Sequence, residues 1–505
     1  MNTFMNQLKA TTNYGYTENG ALKYNTTTSA VLDMFALGGA YRKRSDEDCI
    51  LLFKNAFEED PVLAMKCLFY LRDVRGGQGE RRFFRVIYKW LCKNEPKVAT
   101  MNLEKIPEFG RWDDLIYIAE GTDLETPAFY LIKYQLQIDK QSKTPSLLVK
   151  WMPSQNASSK ETKRLGHKLA NFLGMTDREY RKTLSSLREK IKVLETLMSQ
   201  NRWDEIEFDK IPSKAGLIYK NAFAHKEVTA ARYEAFMKNK ATKVNAGALY
   251  PYEIVAKATG CSHWDWRDDM SEVDRQALEK YWNNLPDYFA NTPNSKMMCV
   301  VDTSGSMTGS SASAPINVAI SLGMYAAERA NGPFKDHYIS FSRTPQLIKI
   351  EGIDFIDKVR RIYRTNLCEN TNLSAVFDML LAIADKPNVR EEDIPNHLVI
   401  ISDMEIDYAT SSGWFSNRES DWSKNNIKTT MESIRSKWAA HGHKMPKLTY
   451  WNVDARNNTI LDAGPNVSFV SGMSPSIFTQ VMTGKSAWDL MIETLMSERY
   501  KTIKV

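Results

Sequence analysis

One stretch, Val300-Val301-Asp302-Thr303-Ser304-Gly305-Ser306-Met307, constrains the fold of this chain more than any other. An apolar run ends in one carboxylate and two hydroxyls at alternate positions. After a Gly/Ser/Ala-rich loop and Pro315, residues Ile316 to Ala330 then show helical periodicity. The stretch therefore predicts a buried strand over Lys296 to Val301 that crosses into a helix, as in an α/β domain. Its D-x-S-x-S oxygens suit a hard cation. Mg²⁺ takes octahedral oxygen coordination at about 2.0 to 2.1 Å and keeps several waters, so small hydroxyls serve it better than a crowded carboxylate cage.

Two further pieces stand where such a domain needs them. Glu369-Asn370-Thr371-Asn372 precedes a helical run from Leu373 to Ala384, and His397-Leu398-Val399-Ile400-Ile401-Ser402-Asp403 reads as a strand ending in an acid. In an open parallel sheet ligands collect outside the carboxyl ends of the strands, so all three pieces can converge on one ion. D-x-S-x-S by itself is better read as a solvated serine-rich turn after a core strand; the three pieces together resemble the metal-ion-dependent adhesion site of von Willebrand factor A (vWA) domains. That resemblance implies that Ser304 and Ser306 bind Mg²⁺ or another divalent cation directly and that Thr371 comes from the second loop. It also implies that Asp302 and Asp403 act largely through water, leaving one position for a carboxylate or other oxygen of a protein partner. The chain departs from many vWA domains after the last aspartate, where Met404-Glu405-Ile406-Asp407 replaces a glycine.

The chain is long enough, at 505 residues, for two or three cores. Six cysteines (Cys49, Cys67, Cys92, Cys261, Cys299, Cys368) show no C-x-x-C spacing, no stretch approaches 18 apolar residues, and Met1 to Asn6 lacks a charged start followed by an apolar core. A cytoplasmic protein with reduced thiols and no membrane association is the simplest expectation. The formal charge of +6 is unevenly placed: residues 295 to 505 hold 23 Lys/Arg and 23 Asp/Glu, whereas residues 140 to 243 hold 22 against 11. That excess can attract a phosphate backbone, or it can belong to solvated helix faces.

Before residue 290 the pattern is helical, with apolar residues at helical spacing over Asp46 to Phe57, Val62 to Leu71, Arg81 to Cys92, Trp112 to Ile118, Ala128 to Ile138, Leu165 to Leu173, Asp177 to Leu197, Thr229 to Lys238 and Pro251 to Lys257. Strand alternation is nearly absent. The expected architecture is multidomain: an α-helical solenoid of HEAT-like units over residues 1–292, curved into a groove or ring, then an α/β Rossmann-like vWA domain over residues 293–505, with Asn291 to Ser295 as the boundary. Within the helical part Leu71 to Arg85 (LRDVRGGQGERRFFR) is a glycine-rich turn ringed by arginines. Arg72, Arg75, Arg81, Arg82 and Arg85 there, with Lys160, Lys163 and Arg164 further on, are the candidate RNA-binding residues. The other reading is a tight interhelical turn whose arginines pair with Asp73 and Glu80. Trp151 and Trp203 stand beside basic residues and fit either base stacking or core anchoring.

Leu71 to Arg85, Ser146 to Ser154 (SLLVKWMPS), Ile191 to Ile206, Ile211 to Lys214, Ala246 to Pro251, Leu448 to Val453 and Phe469 to Met473 resemble a plant, bacterial and phage family of uncharacterised proteins, with a helical first part and a vWA-like second part. The layout is similar to that of the Ro ribonucleoprotein (TROVE) family, which implies a helical domain that binds small or structured RNA. The seven histidines offer no H-E-x-x-H spacing and no serine sits in G-x-S-x-G, so a non-catalytic protein is expected. His441-Gly442-His443 reads as a helix C-terminus with solvent-facing imidazoles. The rival readings are a protein-interaction adaptor and a vWA subunit of an ATPase-driven machine, neither of which handles nucleic acid.

Overall fold

The computed structural model describes residues 13–19, 21–259, 270–290, 296–341, 345–365, 372–406, 430–462, 464 and 466–505. Two compact units emerge. One joins Met1–Cys67 to Leu249–Glu498, and the other joins Leu68–Ala248 to Arg499–Val505. The first unit therefore spans both sides of residue 292.

In the first unit a hairpin pairs β1 (Tyr14–Tyr16) with β2 (Leu22–Tyr24). The sequence pattern gave no sign of strands there. The main sheet holds β3 (Met297–Asp302), β4 (His337–Phe341), β5 (Gln346–Lys349), β6 (His397–Ser402), β7 (Lys447–Asn452) and β8 (Val467–Ser471), in the order β5-β4-β3-β6-β7-β8. All neighbours run parallel except β4 and β5. Counted within this sheet the order is 3-2-1-4-5-6, that of a doubly wound fold, and the order reverses between β3 and β6.

Strands β3 and β6 are buried along their whole length, as expected for MMCVV and HLVII runs covered on both faces. The helix Pro315–Arg329 packs on β3 and β4 and is buried from Pro315 to Ala327. Its Gly323 permits this approach: a Cβ there would lie 2.4 Å from Cγ2 of Val301. On the far side Ala30–Leu37, capped by the Ser29 side chain on the Leu32 amide, packs on β8. Tyr24 and Ile460 exchange backbone hydrogen bonds at 2.9 and 3.1 Å, which fastens the hairpin to the loop after β7.

The second unit is helical. Arg81–Asn94, Trp112–Ala119, Glu125–Gln141, Lys160–Phe172, Asp177–Lys190, Ser213–His225 and Glu227–Lys238 are its longer helices. Phe69 meets Phe84, Tyr88 and Phe109 edge-on with ring centroids 5.2–6.1 Å apart, and a second aromatic cluster joins Phe208, Phe223 and Tyr233. Asp177–Lys190 opens with a capping box between Thr176 and Glu179. The helix expected over Asp177 to Leu197 is two helices. The chain breaks at Lys192, whose φ of 48° is left-handed, and resumes at Leu194–Ser199. The expected boundary Asn291 to Ser295 lies outside the described residues.

Candidate metal centre at the switch of the sheet

The carboxyl ends of β3 and β6 bring Asp302 and Asp403 together at the point where the strand order reverses. Both are buried, as is Ser304, and Ser306 is half-buried. Oδ1 of Asp302 accepts the Ser304 amide at 2.9 Å, and Oδ2 accepts the Ser402 hydroxyl at 2.5 Å. Oδ1 of Asp403 accepts the Glu405 amide at 3.2 Å, and Oδ2 pairs with Nη2 of Arg456 at 2.7 Å. Protein donors thus hold all four carboxylate oxygens. The Ser304 and Ser306 hydroxyls lie 3.0 Å apart. Thr371 lies outside the described residues.

Burial, with the neighbouring Asp403 second, raises the Asp302 carboxyl to about 7. Burial likewise raises Asp403, against the pull of Arg456. Among the described residues Arg456 is the one cation paired with either acid, and it meets Asp403 alone, so Asp302 is buried against hydroxyl and amide donors without an ion-pair partner.

These residues fit a hard cation. Adjacent ligands of an octahedron with bonds of about 2.0 to 2.1 Å are about 2.9 Å apart, which is close to the separation of the two serine oxygens. Ser304 and Ser306 would hold the ion, while Asp302 and Asp403, already engaged by the protein, would act from behind a water. Among the described residues no group of three or more His, Cys, Asp or Glu is placed to hold a metal.

The loop after Asp403 explains how it does without glycine. Met404 takes φ 67°, the left-handed region, with its amide on the Ser402 hydroxyl at 2.9 Å and its side chain buried. Glu405 is fully buried and faces away from the serines. It accepts from the Glu18 amide at 2.7 Å and from Thr459 at 3.0 Å, while Asn19 and Thr17 donate to the Glu405 and Ile406 carbonyls at 2.7 Å. Arg456 reaches Glu18 at 3.1 Å as well as Asp403. No motif pointed to Arg456 or the hairpin, since Arg456 meets Asp403, and the hairpin meets Glu405 and Ile406, only through the tertiary fold.

The candidate RNA-binding residues fare unevenly. Arg72 requires correction. It is 2% exposed, and its Nη2 and Nε bind Oδ2 of buried Asp114 at 2.6 and 3.0 Å, so no phosphate reaches it. Arg85 is mostly covered and pairs with Asp113 at 2.9 Å and Asp114 at 2.6 Å. Asp73 pairs with Arg499 at 2.8 and 2.9 Å, not with its neighbouring arginines. Gly77 lets the turn close, because a Cβ there would lie 2.0 Å from the Tyr70 carbonyl, and Gly79 takes φ 68°. The glycine-rich turn is thus a tight interhelical connection. Arg75 and Arg81 remain exposed and Arg82 half-exposed, with Arg75 donating to the Glu108 carbonyl. Arg164 is exposed and paired with Glu120. Trp151 lies under Arg111 at 4.1 Å, and Trp203 is half-buried with Lys226 over it at 5.4 Å.

Lys160 and Lys163 are exposed, as are Arg178, Arg181 and Lys182 on the next helix. Among the described residues none of the five has a carboxylate within ion-pair distance. His441 and His443 follow the helix Thr430–Ala440 and are held by Asp385 at 2.8 and 3.0 Å, with Glu391 on the other nitrogen of His443 at 3.2 Å.

The first unit and its site define an open, doubly wound α/β domain with an acid–hydroxyl centre at its switch point, borne on a chain that also carries a helical unit. By sequence the chain belongs to the DUF2828 family, described as a domain of unknown function, whose model matches residues 17–144 and 149–292. A second model described as a domain of unknown function, DUF7788, matches residues 296–502. "Uncharacterized protein L728" of Acanthamoeba polyphaga mimivirus is 28% identical over 516 residues, covering 94% of this chain and 85% of that protein. Among solved structures, the crystal structure of the Deinococcus radiodurans RO (RSR) protein aligns with a TM-score of 0.49 at 12% identity, over 91% of this chain and 100% of that one.

Proposed function

We propose that this chain is a non-catalytic RNA-binding protein, with a HEAT-like helical solenoid that holds RNA and a vWA domain that uses a divalent cation to engage a partner. The observation that carries the RNA reading is the set of five exposed cations on Lys160–Phe172 and Asp177–Lys190 that face no acid. Charges already neutralised within the fold release few counterions, whereas unpaired ones release them fully on meeting phosphates. The RNA surface is accordingly assigned to Lys160, Lys163, Arg178, Arg181 and Lys182, and not to the glycine-rich turn.

The vWA reading rests on the strand order and on Asp302, Ser304, Ser306 and Asp403 at the switch point. A bound Mg²⁺ there supplies a hard acceptor for one outside oxygen, such as a partner's carboxylate. Among the described residues the two serine hydroxyls meet each other, and Ser306 also meets the Asp403 carboxyl; no histidine or lysine is paired with either of them. Four buried cysteines without disulfides suit a reducing compartment such as the cytoplasm. No described helix is long and apolar enough to cross a membrane.

Fluorescence anisotropy with a labelled hairpin RNA at rising salt tests the proposal. Affinity should fall steeply with salt, and a Lys160→Glu, Lys163→Glu, Arg178→Glu, Lys182→Glu variant should bind at least about tenfold more weakly. Failure to bind at low salt, or equal binding by the variant, would overturn the RNA assignment. A protein captured from lysate with Mg²⁺ and released by Asp302→Ala, with no RNA present, would favour the adaptor.

A further inference from the structure

The edge of the sheet opposite the acid–hydroxyl centre carries a second site. A cavity of about 620 Å³ opens where β6 and β7 begin, lined by Lys296, His397, Lys444 and Lys447, with Pro446 and Met482 among its apolar walls. We propose that this cavity binds a small phosphate monoester carrying a flat apolar body, of the size of a nucleotide.

The argument starts from the lysines. Nζ of Lys447 donates to the Gly484 carbonyl at 3.0 Å, and Nζ of Lys296 donates to the Glu392 carbonyl. Carbonyls fix the position of an ammonium without cancelling its charge, and the Lys296 charge also acts on Asp393, helping to hold that carboxyl down. Gly484 has φ 60°, and a Cβ there would come within 3.2 Å of the Lys447 ammonium. Lys444 is exposed and in no ion pair among the described residues. Glu391, the acid that lines the cavity, is occupied: its oxygens accept from His443 Nδ1 and the Lys444 amide, each at 3.2 Å. Lys296, Lys444 and Lys447 thus line the opening, against Glu391, which is engaged by His443 and the Lys444 amide, and Asp393, which the Lys296 charge reaches.

His397 supplies direction. Its Nε2 meets Thr449 Oγ1 at 2.8 Å, and Thr449 meets Ser468 Oγ at 2.6 Å, a polar row across β6, β7 and β8. In the tautomer in which Thr449 donates to Nε2, the ring carries its proton on Nδ1, which has no hydrogen-bond partner among the described residues and is then a donor for a ligand oxygen. Burial and the field of Lys447 keep the ring neutral, with its pKa lowered to about 4. Phosphate is the anion that three cations and a neutral donor serve best, since it presents several acceptor oxygens at once. The proline and methionine walls, in a volume typical of small-molecule pockets, ask for an apolar body attached to it.

Equilibrium dialysis of the full chain with AMP, adenosine and inorganic phosphate is the test. AMP should bind most tightly and adenosine at least about tenfold more weakly, with inorganic phosphate competing against AMP. Lys444→Glu, at an exposed position, should weaken AMP by about fivefold or more with an unchanged melting temperature, and Lys447→Met should weaken it further. Equal binding of AMP and adenosine would overturn the proposal. So would AMP binding that ignores both lysine variants, or that is lost in Asp302→Ala and so belongs to the opposite edge.

Discussion

The glycine-rich turn of the helical unit and the serine loop of the sheet unit look alike as sequences: each sets charged residues around glycines at the end of an apolar run. Folding treats them in opposite ways. At the turn buried Arg72 and half-buried Arg85 meet Asp114, and buried Asp73 meets Arg499. At the serine loop buried Asp403 has Arg456, and buried Asp302 has no ion-pair partner among the described residues. A charged motif therefore marks a binding site only through the charge that remains after the chain has folded, and that remainder depends on residues dozens of positions away.

The largest test of this contrast is Arg72→Ala. It leaves Asp114 in the core without its buried partner, with Arg85 and the Arg111 amide still on it, and should destabilise the protein by about 3 to 5 kcal/mol in urea unfolding. A loss near zero would mean that the turn is as uncompensated as the loop. Next in size is a buried group whose charge burial suppresses without a partner. The His397 pKa, lowered to about 4, lies below the ordinary value of 6.5, so the unfolded chain binds the extra proton first. Its contribution, on the order of 3 kcal/mol, is complete above about pH 6.5 and is lost as pH falls toward 4. His397→Gln should flatten thermal melts across that window, and an unchanged slope would remove His397 as the cause. Asp302→Asn should act in the reverse sense to Arg72→Ala. Relieving one acid of the pair should leave the metal-free protein as stable or up to about 1 kcal/mol more so, and should abolish any rise in melting temperature on adding Mg²⁺. A marked destabilisation without metal would equate the loop with the turn. The smallest effect belongs to Gly79→Ala, which forces a side chain into φ 68° and should cost about 1 kcal/mol without altering Mg²⁺ binding.

What the sequence discloses follows the range of the interactions. Strands β3 and β6 and the helix Leu373–Ala384 stand where the apolar periodicity puts them, because continuous burial writes itself into consecutive residues. The serines and aspartates of the centre were legible for the same reason, as local motifs at strand ends. The hairpin was not: three-residue strands carry no period, and β2 is fastened by Ile460, 436 residues away. The break at Lys192 has no glycine or proline to announce it. Arg72 reads as a surface cation because nothing between residues 71 and 85 reveals that Asp114 waits for it. Arg456 escaped for the converse reason: a lone arginine on an irregular segment becomes meaningful only once β6 and the loop after β7 lie side by side.

The clasp of Thr17, Glu18 and Asn19 on the loop after Asp403 has a practical corollary. Excising the sheet domain at residue 293 would discard the clasp along with the helices and leave the Glu405 carboxylate without the Glu18 amide it accepts. A recombinant fragment of that kind would carry an altered loop after Asp403, and a bulky fusion placed just ahead of Tyr14 would act on a loop that lies almost four hundred residues downstream.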